Sequence, residues 1–172
     1  IVLGLTAVWS SASIYAVRAR PVWNSGWVPT SFFGATLLLA GSVSAVLVQR
    51  TDPHATVTAL AAAMLAGSVL QVVSAFWMIA TASAVADRAS RSTGADLGQD
   101  FHRLASRWEF VLHLVLAGFA PAALAVWMPG VVRSGGVAVN GSVLALTIVV
   151  PLAGIALGRR LMFSLGTSIP RF

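Results

Sequence analysis

The sequence predicts an all-α membrane protein, a polytopic transmembrane helix bundle of about five spans. Three observations carry that reading. Apolar runs occupy about residues 1–17, 31–48, 55–86, 110–128 and 137–157, each near the roughly 20 residues an α-helix needs to cross a bilayer. The 172 residues are 58% hydrophobic and 9% charged, with a mean hydropathy of +0.87, whereas soluble domains have roughly 25% charged residues. The arginines gather at alternate breaks between the runs.

The first run reads as helix from Ile1. It has no Met, charged n-region or cleavage-type sequence, so it is not expected to be a signal peptide, and the chain is expected to continue upstream. Pro21, Asn24, Gly26 and Pro29 make 18–30 a connection, with Trp23 and Trp27 expected at headgroup depth. The run 31–48 is the second span. Residues 55–86 hold no charged side chain and exceed one untilted span, so the third helix is expected to tilt or project past the membrane, a break near Gly67 or Ser68 being the alternative. The only long polar stretch is the loop 87–107, where Gly94 and Gly98 stop regular structure and Asp100 reads as the N-cap of a helix from Phe101 to Met128. Pro121 and Pro151 are expected to kink the fourth and fifth helices, and Gly154 with Gly158 forms a G-x-x-x-G that permits close helix contact. The runs are too long and too evenly apolar for barrel strands, so backbone satisfaction in hydrocarbon demands helices.

All eleven basic residues are arginine. Arg50 and Arg133 lie on one side of the predicted bundle. The other nine, Arg18, Arg20, Arg88, Arg91, Arg103, Arg107, Arg159, Arg160 and Arg171, lie on the opposite side. The positive-inside bias makes that side cytoplasmic, with residue 1 outside and residue 172 inside a bacterial-type cytoplasmic membrane. A pI near 11.8 suggests nucleic acid, but that partner wants basic residues clustered on a soluble face. These flank spans, where they answer anionic headgroups. With no cysteine, the chain offers no thiolate to zinc or an iron–sulfur cluster.

His102, Glu109 and His113 stand at i, i+7 and i+11, within about 40° of one another around a helix axis. They form one polar stripe entering the fourth span. Such residues face protein or a water-filled cavity and can mark a proton path, and a His–carboxylate pair suits proton exchange with a quinone. The plainer reading pairs Glu109 with an interfacial Arg and has His113 bond a neighbouring helix. Haem needs two facing histidines, and His113 has no facing partner within a span, so no haem is expected in this chain. Gln71, central in the third run, reads as a helix–helix hydrogen bond before a quinone contact.

Ile14-Tyr15-Ala16-Val17-Arg18-Ala19-Arg20-Pro21-Val22-Trp23-Asn24-Ser25, followed by Trp27, Pro29 and Phe32-Phe33, resembles the tyrosine, A-R-P-x-W-N and T-P-x-x-F-F segment of the dimethyl sulfoxide reductase membrane-anchor family. The ending Gly158-Arg159-Arg160-Leu161-Met162-Phe163 is similar to that family's closing G-R-x-x-F-Y, and Arg107 matches a position where members carry Arg. Two positions depart: Met162-Phe163 replaces the usual aromatic pair, and Ile155 stands where many members have Glu. The resemblance implies helices four to eight of an eight-helix anchor without haem. It further implies docking to a molybdopterin catalytic subunit and an iron–sulfur subunit, and electron exchange with menaquinone or another quinone.

The function expected from these readings is a redox anchor that is not catalytic on its own. His102, Arg107, Trp108, Glu109, His113 and Trp27 are the candidates for quinone contact and the proton path. Arg18, Arg20, Arg88, Arg91, Arg103, Arg159 and Arg160 are the candidates for partner docking. The alternatives are a small transporter or channel built on a Gln71–Glu109–His113 cluster, or a purely structural anchor.

Overall fold

The computed structural model describes residues 2–15, 22–48, 54–93, 108–133 and 141–168. Among these residues there is no strand. Five helices follow one another: α1 (Val2–Ser13), α2 (Trp27–Val48), α3 (His54–Thr93), α4 (Trp108–Arg133) and α5 (Gly141–Ser168). Four segments are long and apolar enough to cross a membrane, Trp27–Ala45, Thr58–Arg88, Trp108–Gly130 and Ala145–Ser164. The described part of α1 has 12 residues, about 18 Å at 1.5 Å per residue.

The most extensive contact joins α2 to α3, and α3 also packs on α4, while α5 packs on α4 and α2 and α1 packs on α2. Between apolar helices in lipid, association depends on close backbone approach and hydrogen bonds because lipid tails are as apolar as leucine. The α2–α3 crossing is built that way. A Cβ on Gly67 would lie 2.5 Å from the Leu38 backbone nitrogen and 2.8 Å from the Gly34 carbonyl oxygen, and one on Gly34 would meet Leu70 Cβ at 2.9 Å. Gln71 Nε2 then donates to the Ser31 carbonyl at 2.9 Å. Gly67 is therefore the contact point of a continuous 40-residue helix, and the alternative of a break there is corrected. At about 60 Å, α3 is roughly twice as long as a 30 Å hydrocarbon core.

Two buried clusters fill the bundle. One, toward the arginine-rich end, joins Val22, Trp23, Trp27, Val28, Ala75, Met78, Ala82, Phe110, Leu161 and Met162. The other, toward the opposite end, joins Leu38, Ala45, Ala61, Met64, Ala125 and Met128. Large apolar side chains on the outer faces, including Phe76, Trp77, Phe119, Trp127 and Leu152, are exposed, as a lipid-facing surface requires.

Helix α4 changes register inside the span. Trp108–His113 is α-helical, Leu114–Phe119 is a π-helical turn, and Ala120–Arg133 is α-helical again. The Ala120 N–H reaches the Val115 carbonyl, five residues back. Pro121 explains the position: it has no N–H to donate, and its ring clashes with the carbonyl four residues before it in an α-helix. The helix also continues through Pro129 to Arg133, past the end expected at Met128. Pro151 lies buried within the continuous α5, which runs through Arg159 and Arg160 to Ser168 rather than stopping near residue 157. The helix start expected at Phe101, capped by Asp100, lies outside the described residues.

Because only backbone faces the missing side chain at 67, Gly67→Ala is expected to push α2 and α3 apart. The expected cost is about 1–3 kcal/mol, read as a lowered thermal midpoint in detergent. Gly130→Ala, where an added Cβ meets nothing within 4 Å, is the control and should leave the midpoint within error. Equal midpoints for the two variants would contradict this account of the crossing.

Candidate functional site

The start of α4 and the last turns of α5 meet at the arginine-rich end. Glu109, in the first described turn of α4, forms an ion pair with Arg160 of α5, with Arg160 Nη2 3.4 Å from Glu109 Oε1. The carboxylate is largely covered and the guanidinium largely exposed, with 16% and 74% of their side chains accessible. The pair therefore sits at a boundary between protein and polar surroundings. Four residues on, the same face of α4 presents His113, which is 4% exposed. Its Nδ1 lies 2.7 Å from the Gly154 carbonyl oxygen. A carbonyl only accepts, so Nδ1 carries the proton, and in the neutral ring Nε2 keeps its lone pair.

Glycines make room for that ring. A Cβ on Gly158 would fall 2.6 Å from His113 Cε1, 2.9 Å from Nδ1 and 3.3 Å from Nε2. A Cβ on Gly154 would lie 2.5 Å from the Ala117 backbone nitrogen and 2.6 Å from the Leu116 carbonyl carbon. The G-x-x-x-G thus seats two things: the imidazole on Gly158 and the π-helical backbone of α4 on Gly154. Its role as a close-contact motif was readable; its histidine occupant was not.

Beside it, Arg159 turns the other way. Its guanidinium carbon lies 3.6 Å from the centroid of the Phe32 ring, and Nη1 approaches Met162 Sδ at 3.8 Å. Phe32 belongs to an aromatic group with Tyr15 at 5.5 Å between centroids, and Tyr15 meets Trp23 and Phe163 at 6.1 Å each. Trp23 and Phe163 are 5.7 Å apart and nearly perpendicular. Edge-to-face pairs of this kind contribute about 0.5–1.5 kcal/mol each. Trp23 Nε1 donates to the Met162 carbonyl at 3.2 Å, tying the connection before α2 to the end of α5.

The predicted site residues divide accordingly. Glu109 and His113 lie one turn apart, and each is bonded to α5. Trp108, the residue before Glu109, is exposed. Trp27 is buried in the core, its Nε1 donating to the Val22 carbonyl at 2.8 Å. Arg88 and Arg91 are exposed near the end of α3. Arg18, Arg20, His102, Arg103 and Arg107 lie outside the described residues. Gln71, Glu109 and His113 engage three different partners, Ser31, Arg160 and Gly154. Sequence reasoning did not assemble the aromatic group around Arg159, although Tyr15, Trp23, Phe32 and Phe163 all stand in the motifs quoted above. Their spacing along the chain gave no sign that they meet. A half-open cavity of about 240 Å³ lies between α1 and the start of α2, lined by Trp9, Ala12, Ser13, Asn24, Ser25, Gly26 and Pro29. None of the predicted residues lines it.

The seating of His113 has a direct readout. With His54 and His102 replaced by Gln, ¹⁵N-labelled His113 is expected to show a protonated Nδ1 and an unprotonated Nε2 when neutral. Gly158→Ala should displace the ring and mix the tautomers. A single tautomer unchanged by Gly158→Ala would contradict the seating.

No curated protein sequence and no solved structure matches the chain. A family model described as DMSO reductase anchor subunit (DmsC) matches residues 1–165, which reaches into every described helix and takes in the connections that carry the quoted motifs. An all-α bundle with four helices long and apolar enough to cross a membrane is consistent with a membrane anchor. The chain belongs to the DMSO reductase anchor subunit family, and is thereby a membrane-anchor subunit of DMSO reductase-type complexes.

Proposed function

We propose that this anchor exchanges electrons with a membrane quinone, menaquinol being the expected donor, and docks an iron–sulfur subunit that carries the electrons to a molybdopterin catalytic subunit. The observation that supports this most directly is the pairing of Glu109 and His113 one turn apart at the arginine-rich end, in a chain otherwise nearly free of charge within its spans. Oxidation of a quinol releases two protons with its two electrons. The electrons pass to clusters in the partner; the protons need titratable side chains that lead to water.

The residues suit that task. His113 is held by Nδ1, which leaves Nε2 as its proton-accepting atom. Glu109 offers a carboxylate between that ring and the exposed Arg160, and His102 and Arg107 precede it in sequence toward the polar loop. Trp108, exposed beside Glu109, supplies an aromatic surface for a quinone head. Arg88 and Arg91, with Arg18, Arg20 and Arg103 from connections that the arginine pattern in the sequence assigns to the same side, offer positive charge to an acidic partner surface. In this reading the arginine-rich side is cytoplasmic, residue 1 lies outside, and the bilayer is a bacterial-type inner membrane.

Two substitutions separate redox work from tethering. Glu109→Gln removes the titrating carboxylate, and His113→Asn keeps an amide donor for Gly154 while removing the titrating ring. Each is expected to lower quinol oxidation about a hundredfold, in line with loss of general acid–base catalysis, with the assembled complex still recovered. Unchanged quinol oxidation in both variants would overturn the proton path. Purification without any cluster-bearing companion would overturn the anchor's electron-transfer role.

A further inference from the structure

We propose that Arg159 is the seat of an anionic-lipid site, in which its guanidinium binds the phosphate of a membrane phospholipid. Arg159 and its neighbour Arg160 are unequally partnered among the described residues. Arg160 is exposed and takes the nearby carboxylate, Glu109. Arg159 is partly buried inside the apolar span Ala145–Ser164, and among the described residues no carboxylate pairs with it. A cation within a span calls for a counter-charge or a route to the interface.

The geometry says which part of the group is already engaged. Stacking on Phe32 at 3.6 Å occupies a flat face of the guanidinium. The five N–H donors of arginine lie in the plane, at the edge, and the hydrogen bond made there among the described residues is to the weak acceptor Met162 Sδ at 3.8 Å. A guanidinium stacked on one face, with only a thioether at its edge among the described residues, is pre-organised for a bidentate oxyanion, and phosphate fits that fork.

Its surroundings favour a lipid over a protein carboxylate as the source. Tyr15 meets both Phe32 and Phe163, and tyrosine is enriched where headgroups meet acyl chains. Phe163 is 44% exposed and Trp9, further along α1, is 58% exposed, which gives acyl chains apolar surface to lie on. An acidic partner surface approaching from water would meet the outward-facing Arg88, Arg91 and Arg160 first. Basic pockets between helices at the cytoplasmic side bind anionic headgroups by this logic.

The test uses the assembled complex, delipidated in mild detergent, with native mass spectrometry as the readout and phosphatidylglycerol as the probe. The wild type should retain phosphatidylglycerol in preference to phosphatidylcholine, whose choline cation sits beside the phosphate. Arg159→Gln should weaken retention about tenfold, Arg159→Lys less so, and Arg160→Gln should leave it unchanged. Equal retention in wild type and Arg159→Gln would overturn the assignment. So would equal displacement by millimolar inorganic phosphate, which would mark a free-anion site, or stronger phosphatidylglycerol retention on changing Asp96 or Asp100 to the amide, which would place the counter-charge of the wild type within the chain. None of these readouts depends on quinol turnover, so the lipid site and the redox reading stand or fall separately.

Discussion

Close approach of helix backbones at glycine is the constraint on which the rest of this bundle depends. In lipid there is no gain from hiding leucine from leucine, so helices adhere where their backbones touch and where polar groups find partners. Gly34 and Gly67 bring α2 onto α3, and Gly154 and Gly158 bring α4 onto α5. Each contact places a polar side chain within reach of a carbonyl on the opposite helix: Gln71 bonds Ser31 beside the first crossing, and His113 bonds Gly154 at the second. A bulkier residue at either crossing would lengthen those bonds as well as separate the helices.

The π-helical turn belongs to the same economy of space. Pro121 prevents an unbroken α-helical ladder, and the chain answers by widening over Leu114–Phe119. That segment starts directly after His113 and lies against Gly154. The histidine is thereby fixed from three directions: by its own helix, by the carbonyl it bonds and by the glycine beneath its ring. Such fixation selects one imidazole tautomer, a prerequisite for using the other nitrogen in proton transfer.

The two ends of the bundle are chemically unlike. One holds a compact apolar cluster around Leu38, Met64 and Met128. The other holds the aromatic group of Tyr15, Trp23, Phe32 and Phe163, the Glu109–Arg160 pair and the stacked Arg159. The plain readings of Glu109 and His113, an interfacial arginine partner and a bond to a neighbouring helix, are the contacts present. They supply the positioning that a functional role would use.

The sequence by itself determined that this is a helical membrane bundle, because apolar run length and the absence of charge leave the backbone no other way to satisfy its hydrogen bonds in hydrocarbon. It also placed the arginine asymmetry, the polar stripe on α4, the close-contact glycines of α5 and, through the motifs around Trp23 and Arg159, the family. Tertiary structure alone decided that Gly67 is a crossing rather than a break, that α5 carries Arg159 and Arg160 within its helix, and that one arginine pairs with Glu109 while its neighbour stacks on Phe32. Those outcomes depend on which faces of distant segments meet. Hydropathy reports how deep a residue can sit in lipid; it says nothing of which helix will stand beside it.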